Sequence, residues 1–236
     1  MTSINSKSEP KPARRKASQR DTQSRRRFLS AAEYLFAELG YEGTRIRAIA
    51  ERSKVNLGAL HHYWGNKEEL FKAVCENCFI EMNKERMRRF DELEEQARTS
   101  GTPIAMRALF RATIEPTFFT KKMSARGLKI YLKFYGRTMT EPSPPVQKVM
   151  LELFSPVSQR FLDMLRELCP HLSDDEFYWR AGCIFGAFIY VPAFTERIAY
   201  YFSPDHFDGK DYQFAVSQML DFLVAGMQAP SSPEDT

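Results

Sequence analysis

The spacing of apolar residues along the chain predicts helices almost throughout. In residues 24–40 the apolar positions recur every three or four residues, as they do on one face of a helix. These positions are Phe28, Leu29, Ala32, Leu35, Phe36 and Leu39. Gly40 is expected to end this helix, because glycine readily adopts the left-handed conformation of a helix C-terminus. No segment has the strict alternation of a half-buried strand, so the predicted fold class is all-α.

Two short helices are predicted next, joined by a four-residue turn. Thr44 is expected to cap the first of them, residues 52–55 (RSKV) form the turn, and Asn56 is expected to cap the second. Asn66, followed three residues later by Glu69, predicts the start of a long fourth helix. A helix, a short helix, a turn and another short helix in close succession indicate a helix-turn-helix.

The remainder of the chain predicts longer helices with short breaks. The breaks fall at residues 99–103 and 140–145, and the segment 173–176 (SDDE) is a capping box that opens a long apolar helix. Proline disturbs helical hydrogen bonding, so Pro156 and Pro192 are expected to interrupt or bend their helices. A last helix is predicted at about residues 211–227, with apolar residues on more than one side.

Charge is distributed unevenly along the chain. The net charge is +4, but residues 1–70 carry 14 Lys/Arg against 8 Asp/Glu, which leaves the rest slightly acidic. This asymmetry indicates a polyanionic partner at the N-terminal end, and a solvated basic tail is the alternative. The N-terminus lacks the apolar core of an export signal, and the four cysteines are unevenly spaced, so we expect a cytoplasmic protein. No apolar run approaches the roughly 20 residues of a membrane span.

Residues 27–74 contain a combination of positions that is typical of one known family. These positions are Phe36, Gly40, Tyr41, Thr44, Ile49, Ala50, Val55, Gly58, Leu60, Lys67, Glu68 and Leu70. In this combination the stretch resembles the DNA-binding domain of the TetR family of transcriptional regulators. Two positions depart from the family pattern, because His61 stands where the family usually has tyrosine and Trp64 where it usually has phenylalanine. Histidine is the side chain whose charge changes between about pH 5 and 8, so a phosphate contact by His61 would depend on pH.

The resemblance implies a sequence-specific regulator that dimerises, binds a palindromic operator in double-stranded DNA as a repressor, and is released by a small, largely apolar ligand. We therefore divide the chain into a disordered basic arm (1–23), a helix-turn-helix domain (24–72), a helical ligand-binding and dimerisation domain (73–228) and a disordered tail (229–236). The arm could follow the minor groove, add salt-dependent affinity or serve solubility alone.

In a helix-turn-helix the second short helix enters the major groove with its N-terminal residues facing the bases. Small or adaptable side chains suit that position, as in residues 56–59 (NLGA). The predicted DNA-binding residues are Thr44, Arg45, Arg47, Asn56, Leu57, Gly58, Ala59, His61, His62, Tyr63 and Lys67. Adjacent residues on a helix point about 100° apart, so His61 and His62 are not expected to share a metal. A core or solvated histidine pair is the alternative to a DNA-facing one.

The C-terminal body is predicted to supply a dimer interface and a pocket. Its last two helices carry more apolar surface than one packing face requires, as in a four-helix bundle shared by two chains. The predicted interface residues are Phe188, Phe214, Met219, Leu220 and Leu223. The family resemblance implies a mostly apolar ligand pocket, for which the candidate residues are Phe118, Arg126, Tyr131, Phe134, Tyr135, Phe154, Trp179 and Phe185.

Other functions are less well supported by the sequence. It contains no glycine-rich phosphate loop, no Gly-x-Ser-x-Gly elbow and no metal-ligand cluster, so we expect no enzyme activity, no metal and no cofactor. A helical-bundle binding protein or enzyme remains the alternative class. Cys75 and Cys78 are neighbours on one helix and could form a redox switch, although two ordinary buried thiols are the simpler interpretation.

Overall fold

The computed structural model describes residues 12–119, 123–202 and 211–231, and this part of the chain contains helices and turns but no strand. The all-α prediction is confirmed. The helices of the described part are α1 (Pro12–Gly43), α2 (Ile46–Ser53), α3 (Gly58–Tyr63), α4 (Lys67–Ser100), α5 (Met106–Phe119), α6 (Ala125–Thr140), α7 (Pro144–Glu167), α8 (Asp174–Phe202) and α9 (Tyr212–Gln228).

Helix α1 begins earlier than predicted. It starts at Pro12 rather than near Ser24, so residues 12–23 are helical and not disordered. Proline suits the first turn of a helix, and the Ala, Arg, Lys and Gln residues that follow it are good helix formers. Once the apolar segment has nucleated a helix, extension through such residues costs little. The other segments predicted to be disordered lie outside the described residues at 1–11 and 232–236.

The corner between α1 and α2 turns at Gly40, whose φ of 75° confirms the predicted break. A Cβ atom at this position would lie 2.9 Å from guanidinium nitrogens of Arg137, so the site also lacks space for a side chain. Thr44 does not cap α2 as predicted, because the N-cap residue is Arg45. The Thr44 hydroxyl instead lies 2.6 Å from the Gly40 carbonyl oxygen and 3.1 Å from that of Leu35. These carbonyls need a donor where α1 ends, and Thr44 is the nearest one.

Two other predicted caps are confirmed. The Asn56 side-chain oxygen accepts a hydrogen bond from the backbone N–H of Gly58 at 3.0 Å, at the start of α3. The Asn66 side-chain oxygen accepts one from the backbone N–H of Glu69 at 2.9 Å, at the start of α4. These short polar side chains satisfy donors that the first helical turn cannot pair internally. They fix where the short α3 begins and where the chain turns into α4.

The predicted effects of proline differ between α7 and α8. Helix α7 runs through Pro156 without interruption. Helix α8 begins at the predicted capping box, in which the backbone N–H groups of Ser173 and Glu176 each donate to the other residue's side chain. It leaves helical geometry at Phe194, two residues after Pro192, as a bend at that proline predicts.

Helix α4 connects the helix-turn-helix unit to the larger body. Its first half buries Leu70 and Phe71 against the apolar residues of α1 and α2, and its buried face continues along the body as far as Phe90. Helix α6 is the second connection, since it packs against both α1 and α8. On its α1 side the Lys133 ammonium lies 2.6 Å from the Glu38 carboxylate. A helix with two such neighbours can transmit a displacement between them.

Candidate DNA-binding and dimerisation surfaces

The short helix α3 lies on the surface, with its polar residues uncovered. Asn56, Gly58, His61 and His62 are exposed, and Leu57 is half-buried against the core. Ala59 belongs to the same helix, but its side chain lies outside the described residues. Asn56 can offer its amide while its side-chain oxygen caps the helix. This surface has the donors and acceptors that reading base edges requires.

Among the described residues, nothing requires glycine at position 58. It is not among the residues with positive φ, and a Cβ atom here would meet only the Asn56 side-chain oxygen, at an ordinary 3.7 Å. Glycine within a helix is less favourable than alanine by up to about 1 kcal/mol. The packing of the described residues therefore gives no reason for glycine rather than alanine at this exposed position.

The chain anchors α3 through aromatic residues at its C-terminal end. Trp64 is buried and stacks on Phe28 of α1 with ring centroids 5.3 Å apart. The Trp64 indole N–H has no hydrogen-bond partner among the described residues. Tyr63 donates its hydroxyl proton to the Asp21 carboxylate, and this hydrogen bond is the main cause of a raised Tyr63 pKa. The N-terminal extension of α1 thus holds α3 in place.

The other side chains predicted to bind DNA differ in how accessible they are. Arg45 and Arg47 are exposed at the start of α2, as a phosphate contact requires. Thr44 is only 1% exposed and turned inward, so its side chain does not face solvent where a phosphate contact was expected. The Lys67 ammonium lies 4.4 Å above the Tyr41 ring, and burial lowers the Lys67 pKa against the opposing effect of Glu42. Lys67 would need to change rotamer to reach a phosphate.

A second uncovered surface, the apolar outer face of α8 and α9, lies on the body. On α8, Tyr178 and Trp179 are exposed, Trp179 at 80%, and on α9 Phe214 and Phe222 are exposed. Among the described residues, the 21-residue stretch Asp174–Phe194 is long and apolar enough to cross a membrane, so the expectation that no segment reaches this length was wrong. One such helix is weak support for a membrane span, and an apolar partner surface explains it equally well.

Comparison with known proteins assigns the chain to a family. Residues 28–74 match the model of the tetR family of bacterial regulatory proteins, and residues 111–226 match that of the tetracyclin repressor-like C-terminal domain. These two stretches together cover more than half of the chain. The protein belongs to the TetR family. Members of the family are transcriptional regulators that bind DNA and small-molecule effectors, typically dimerise and are generally not enzymes.

Individual relatives of this TetR-family protein are distant. The chain is 29% identical over 106 residues to the HTH-type transcriptional regulator BetI of Burkholderia mallei, a match that covers 45% of this chain and 50% of BetI. It is 41% identical over 58 residues to the transcriptional repressor AcnR of Corynebacterium glutamicum, covering 25% of this chain and 31% of AcnR. The chain thus spans about half the length, or less, of these curated relatives.

A solved structure supports the same fold. The TetR-family regulator PfmR of Thermus thermophilus aligns with a TM-score of 0.57 and 14% identity, covering 86% of this chain and 96% of PfmR. At this identity the match shows the fold alone.

Four of the five predicted dimer residues lie elsewhere in this TetR-family protein than expected. Phe188, Met219, Leu220 and Leu223 are buried within the single chain, where α8 and α9 pack on the body. The hydrophobic pattern shows that these helices have two apolar faces but does not show which face turns inward. Phe214 is exposed, as an interface residue must be. Among the described residues of α8 and α9, Tyr178, Trp179 and Phe222 are exposed as well.

The predicted pocket residues are only partly brought together. Tyr131, Phe134, Tyr135 and Phe154 surround the buried Phe79 with ring centroids 5.5–6.0 Å from it. The other candidates lie apart from this cluster. Phe118 packs on Tyr212 and Phe185 on Phe161, while Arg126 and Trp179 are exposed on other parts of the surface. A large aromatic residue near proline or glycine was too general a signal to place Phe118, Phe185 and Trp179.

Sequence reasoning missed two buried polar residues beside the aromatic cluster, Asn83 and Arg86. The signal was available in the helical spacing of α4. Its buried positions run through Phe79, Met82, Arg86 and Phe90, so Arg86 occupies a place in the apolar stripe. In the sequence alone, the polar residues after Met82 resemble a thinning of that stripe.

The cysteine alternative finds little support. Cys75 and Cys78 are buried, and burial raises the pKa of the Cys75 thiol well above its usual range. The thiolate is the reactive form, so a protonated buried thiol is a poor redox sensor. Within the described residues, no group of three or more His, Cys, Asp or Glu residues could hold a metal.

Proposed function

We propose that this TetR-family protein is a dimeric, sequence-specific regulator that represses transcription from a palindromic operator and is released by a small, largely apolar ligand. The observation that supports this proposal most strongly is the exposed helix α3. It contains Gly58 and two exposed histidines, His61 and His62. Asn56 and His62 would meet base edges, and Leu57 would contact a thymine methyl group. Arg45 and Arg47 would bind phosphates on the flanking strand.

The second uncovered surface supports a homodimer. A soluble chain that exposes Trp179 and Phe222 on adjacent helices gains free energy by covering them, and a second copy offers the same apolar surface. Two copies related by a twofold axis would place two α3 helices on one face of the DNA. Half-sites about 34–36 Å apart would then be read together, which makes the operator palindromic. A regulator of this kind acts in the cytoplasm.

Helix α6 connects the proposed ligand-binding region of the body with the helix-turn-helix unit. It touches α1 through Lys133 and Glu38, and the Arg137 guanidinium donates to the Glu38 carbonyl oxygen at 3.3 Å. Its opposite side meets the dimerisation helix α8, and its buried tyrosines line the aromatic cluster of the body. A ligand that moved α6 would therefore change the spacing of the two reading helices. A coupling free energy of roughly 1–3 kcal/mol alters occupancy several-fold to a hundredfold.

Fluorescence anisotropy of the purified protein with a labelled fragment of its own promoter region, at several salt concentrations, tests this function. We expect binding of nanomolar affinity, typical of specific sites, that falls steeply with salt and is competed only by that sequence. His62→Ala should weaken this specific binding and leave binding to unrelated DNA unchanged. Weak, sequence-blind binding to every promoter fragment and to a genome-wide library of fragments would contradict the proposal.

A further inference from the structure

Arg86 is a buried cation whose hydrogen-bond partners among the described residues are all neutral. Its side chain is 4% exposed, in the body between α4 and α5. Three of its N–H groups donate to the Thr113 carbonyl oxygen at 2.7 Å, the Thr117 hydroxyl at 2.9 Å and the Asn83 side-chain oxygen at 3.2 Å. Within the part of the chain that the structure describes, no carboxylate forms an ion pair with it. Arginine has five N–H groups, so two remain to bind another acceptor.

A structural role alone does not explain a permanent charge at this position. Neutral donors such as glutamine can hold two helices together, whereas an arginine cannot lose its charge on burial. Removing a guanidinium from water is costly unless an anion compensates it. A cation kept at this position therefore indicates an anionic partner that binds from outside the chain.

The side chains around Arg86 suit the remainder of an organic molecule. The Phe154 ring centroid lies 5.9 Å from the central guanidinium carbon. The Tyr131 hydroxyl donates to the Met82 sulfur at 3.2 Å, and burial raises the Tyr131 pKa, so Tyr131 stays neutral and does not compensate the charge. The neighbourhood is thus apolar apart from the hydroxyls and the amide that hold the cation.

A groove on the other side of Phe154 offers a way in. It runs between the end of α6 and α7, with a volume of about 470 Å³. Its apolar lining residues are Met139, Pro142, Met150, Leu151 and Phe154, and its polar ones are Thr138, Thr140, Glu141, Gln147, Ser155 and Ser158. Small-molecule sites commonly have volumes of about 300–1,000 Å³. Phe154 belongs both to the groove lining and to the surroundings of Arg86, so we infer that a change of its rotamer would join the two.

We propose that Arg86 binds the carboxylate of the effector, and that the effector is an organic monocarboxylic acid whose apolar body occupies the groove beside Phe154. This assignment rests on the proposed function, because it names the chemistry of the releasing ligand. A carboxylate can accept both remaining N–H groups of one guanidinium. A single negative charge neutralises a single cation, whereas a phosphate dianion would leave excess charge buried.

The test uses the full chain without DNA and follows the thermal midpoint with matched pairs of probes. Each pair has one shape and differs in charge: decanoate with decanamide, and phenylacetate with phenylacetamide. We expect at least one acid to raise the midpoint at millimolar concentration while its amide does not. Arg86→Met should weaken binding of that acid by about tenfold or more, since it removes one partner of a buried charge pair.

Arg160→Met is the matched control. The central guanidinium carbon of Arg160 also lies 5.9 Å from a phenylalanine ring centroid, that of Phe90. Unlike Arg86, Arg160 forms ion pairs with the carboxylates of Asp91 and Glu94, at 2.7 and 2.8 Å. Its removal should leave acid binding unchanged. If Arg86→Met does not fold, Arg86→Lys keeps the charge but loses the two-pronged contact, and binding of the acid should still weaken.

Three results would overturn the proposal: no acid of the panel binds, acid and amide bind alike, or Arg86→Met binds the acid as the wild type does. Operator binding measured in parallel separates this outcome from a failure of the proposed function. Loss of the acid effect with intact operator binding rejects only the carboxylate site. Acid binding by a protein that recognises no operator rejects the regulator and leaves the site.

Discussion

The two uncovered surfaces of the chain differ in chemistry. The surface of α3 is polar, with small and hydrogen-bonding residues such as Asn56, Gly58 and His62. The outer face of α8 and α9 is apolar and aromatic, with Trp179 and Phe222 exposed at 80% and 74%. Helices α8 and α9 bury other residues, such as Phe188 and Leu220, in the core, whereas α3 packs on the core through the half-buried Tyr63. The two surfaces therefore differ in the partner they can accept.

The difference in chemistry between the two surfaces indicates which kind of partner each of them can bind. Uncovered hydrogen-bonding groups beside arginines gain most from a polyanion with readable edges, which is duplex DNA. Uncovered aromatic rings gain most from another apolar surface, which a second copy would supply in the proposed dimer. In that proposal the DNA surface depends on the dimer surface, because each chain contributes one α3 helix.

Trp179→Asp should have the largest effect. Trp179 is 80% exposed on α8, and a carboxylate at a buried interface lacks a counter-charge. We expect the dimer to weaken by about 100-fold or more, as for a hot-spot residue. Sedimentation velocity at micromolar concentration measures this, and operator affinity should fall with it.

Leu151→Asp is the control for that change. Leu151 is 70% exposed on α7, away from α8 and α9, so the same charge there should leave the dimer intact. A Trp179→Asp protein that remains dimeric and binds the operator normally would show that another face joins the two chains.

Gly58→Ala should separate the DNA surface from the stability of the fold. The added methyl group meets no atom of the described residues closer than 3.7 Å, and alanine is the better helix former, so the thermal midpoint should stay equal or rise. The same methyl group would hold α3 away from the groove floor. We expect operator affinity to fall about 10–100-fold, the range of a lost base contact.

Binding to a scrambled duplex serves as the reference for Gly58→Ala. Affinity for it depends on phosphate contacts and should be nearly unchanged. Unaltered operator binding by this variant would mean that α3 does not approach the bases closely.

Gly136→Ala tests the connection between the two surfaces. A Cβ atom at Gly136 would lie 2.1 Å from the Ala193 Cβ atom, so α6 and α8 must separate to admit it. Overpacking of this kind typically costs about 1–3 kcal/mol of unfolding free energy, which denaturant titration measures. Gly43→Ala, with an ordinary 3.4 Å contact to Leu39, should cost much less. Equal stability of the two variants would show that α6 and α8 are not tightly packed.

Local sequence signals predicted the helix-turn-helix more accurately than the body. Caps at Asn56 and Asn66 and the break at Gly40 involve neighbouring residues, so they can be deduced from the sequence alone. Which face of α8 turns inward depends on residues far along the chain. Phe188 and Trp179 are both large aromatic residues of α8, yet Phe188 is buried and Trp179 is exposed. The position of Arg86 follows from helical spacing, but its unpaired charge follows only from the fold.

Arg47→Ala should have the smallest effect and the most specific signature. An exposed arginine at the start of α2 that binds one phosphate contributes to affinity without reading sequence. The slope of log affinity against log salt should therefore decrease by about one, and operator and scrambled DNA should weaken alike. Arg98→Ala makes the same change of net charge at the far end of α4, where Arg98 pairs with Glu95, and should leave the slope unchanged. Equal slopes for both variants would place α2 away from the DNA backbone, and the reading surface would then have to be redrawn around α3 and the basic N-terminal extension of α1.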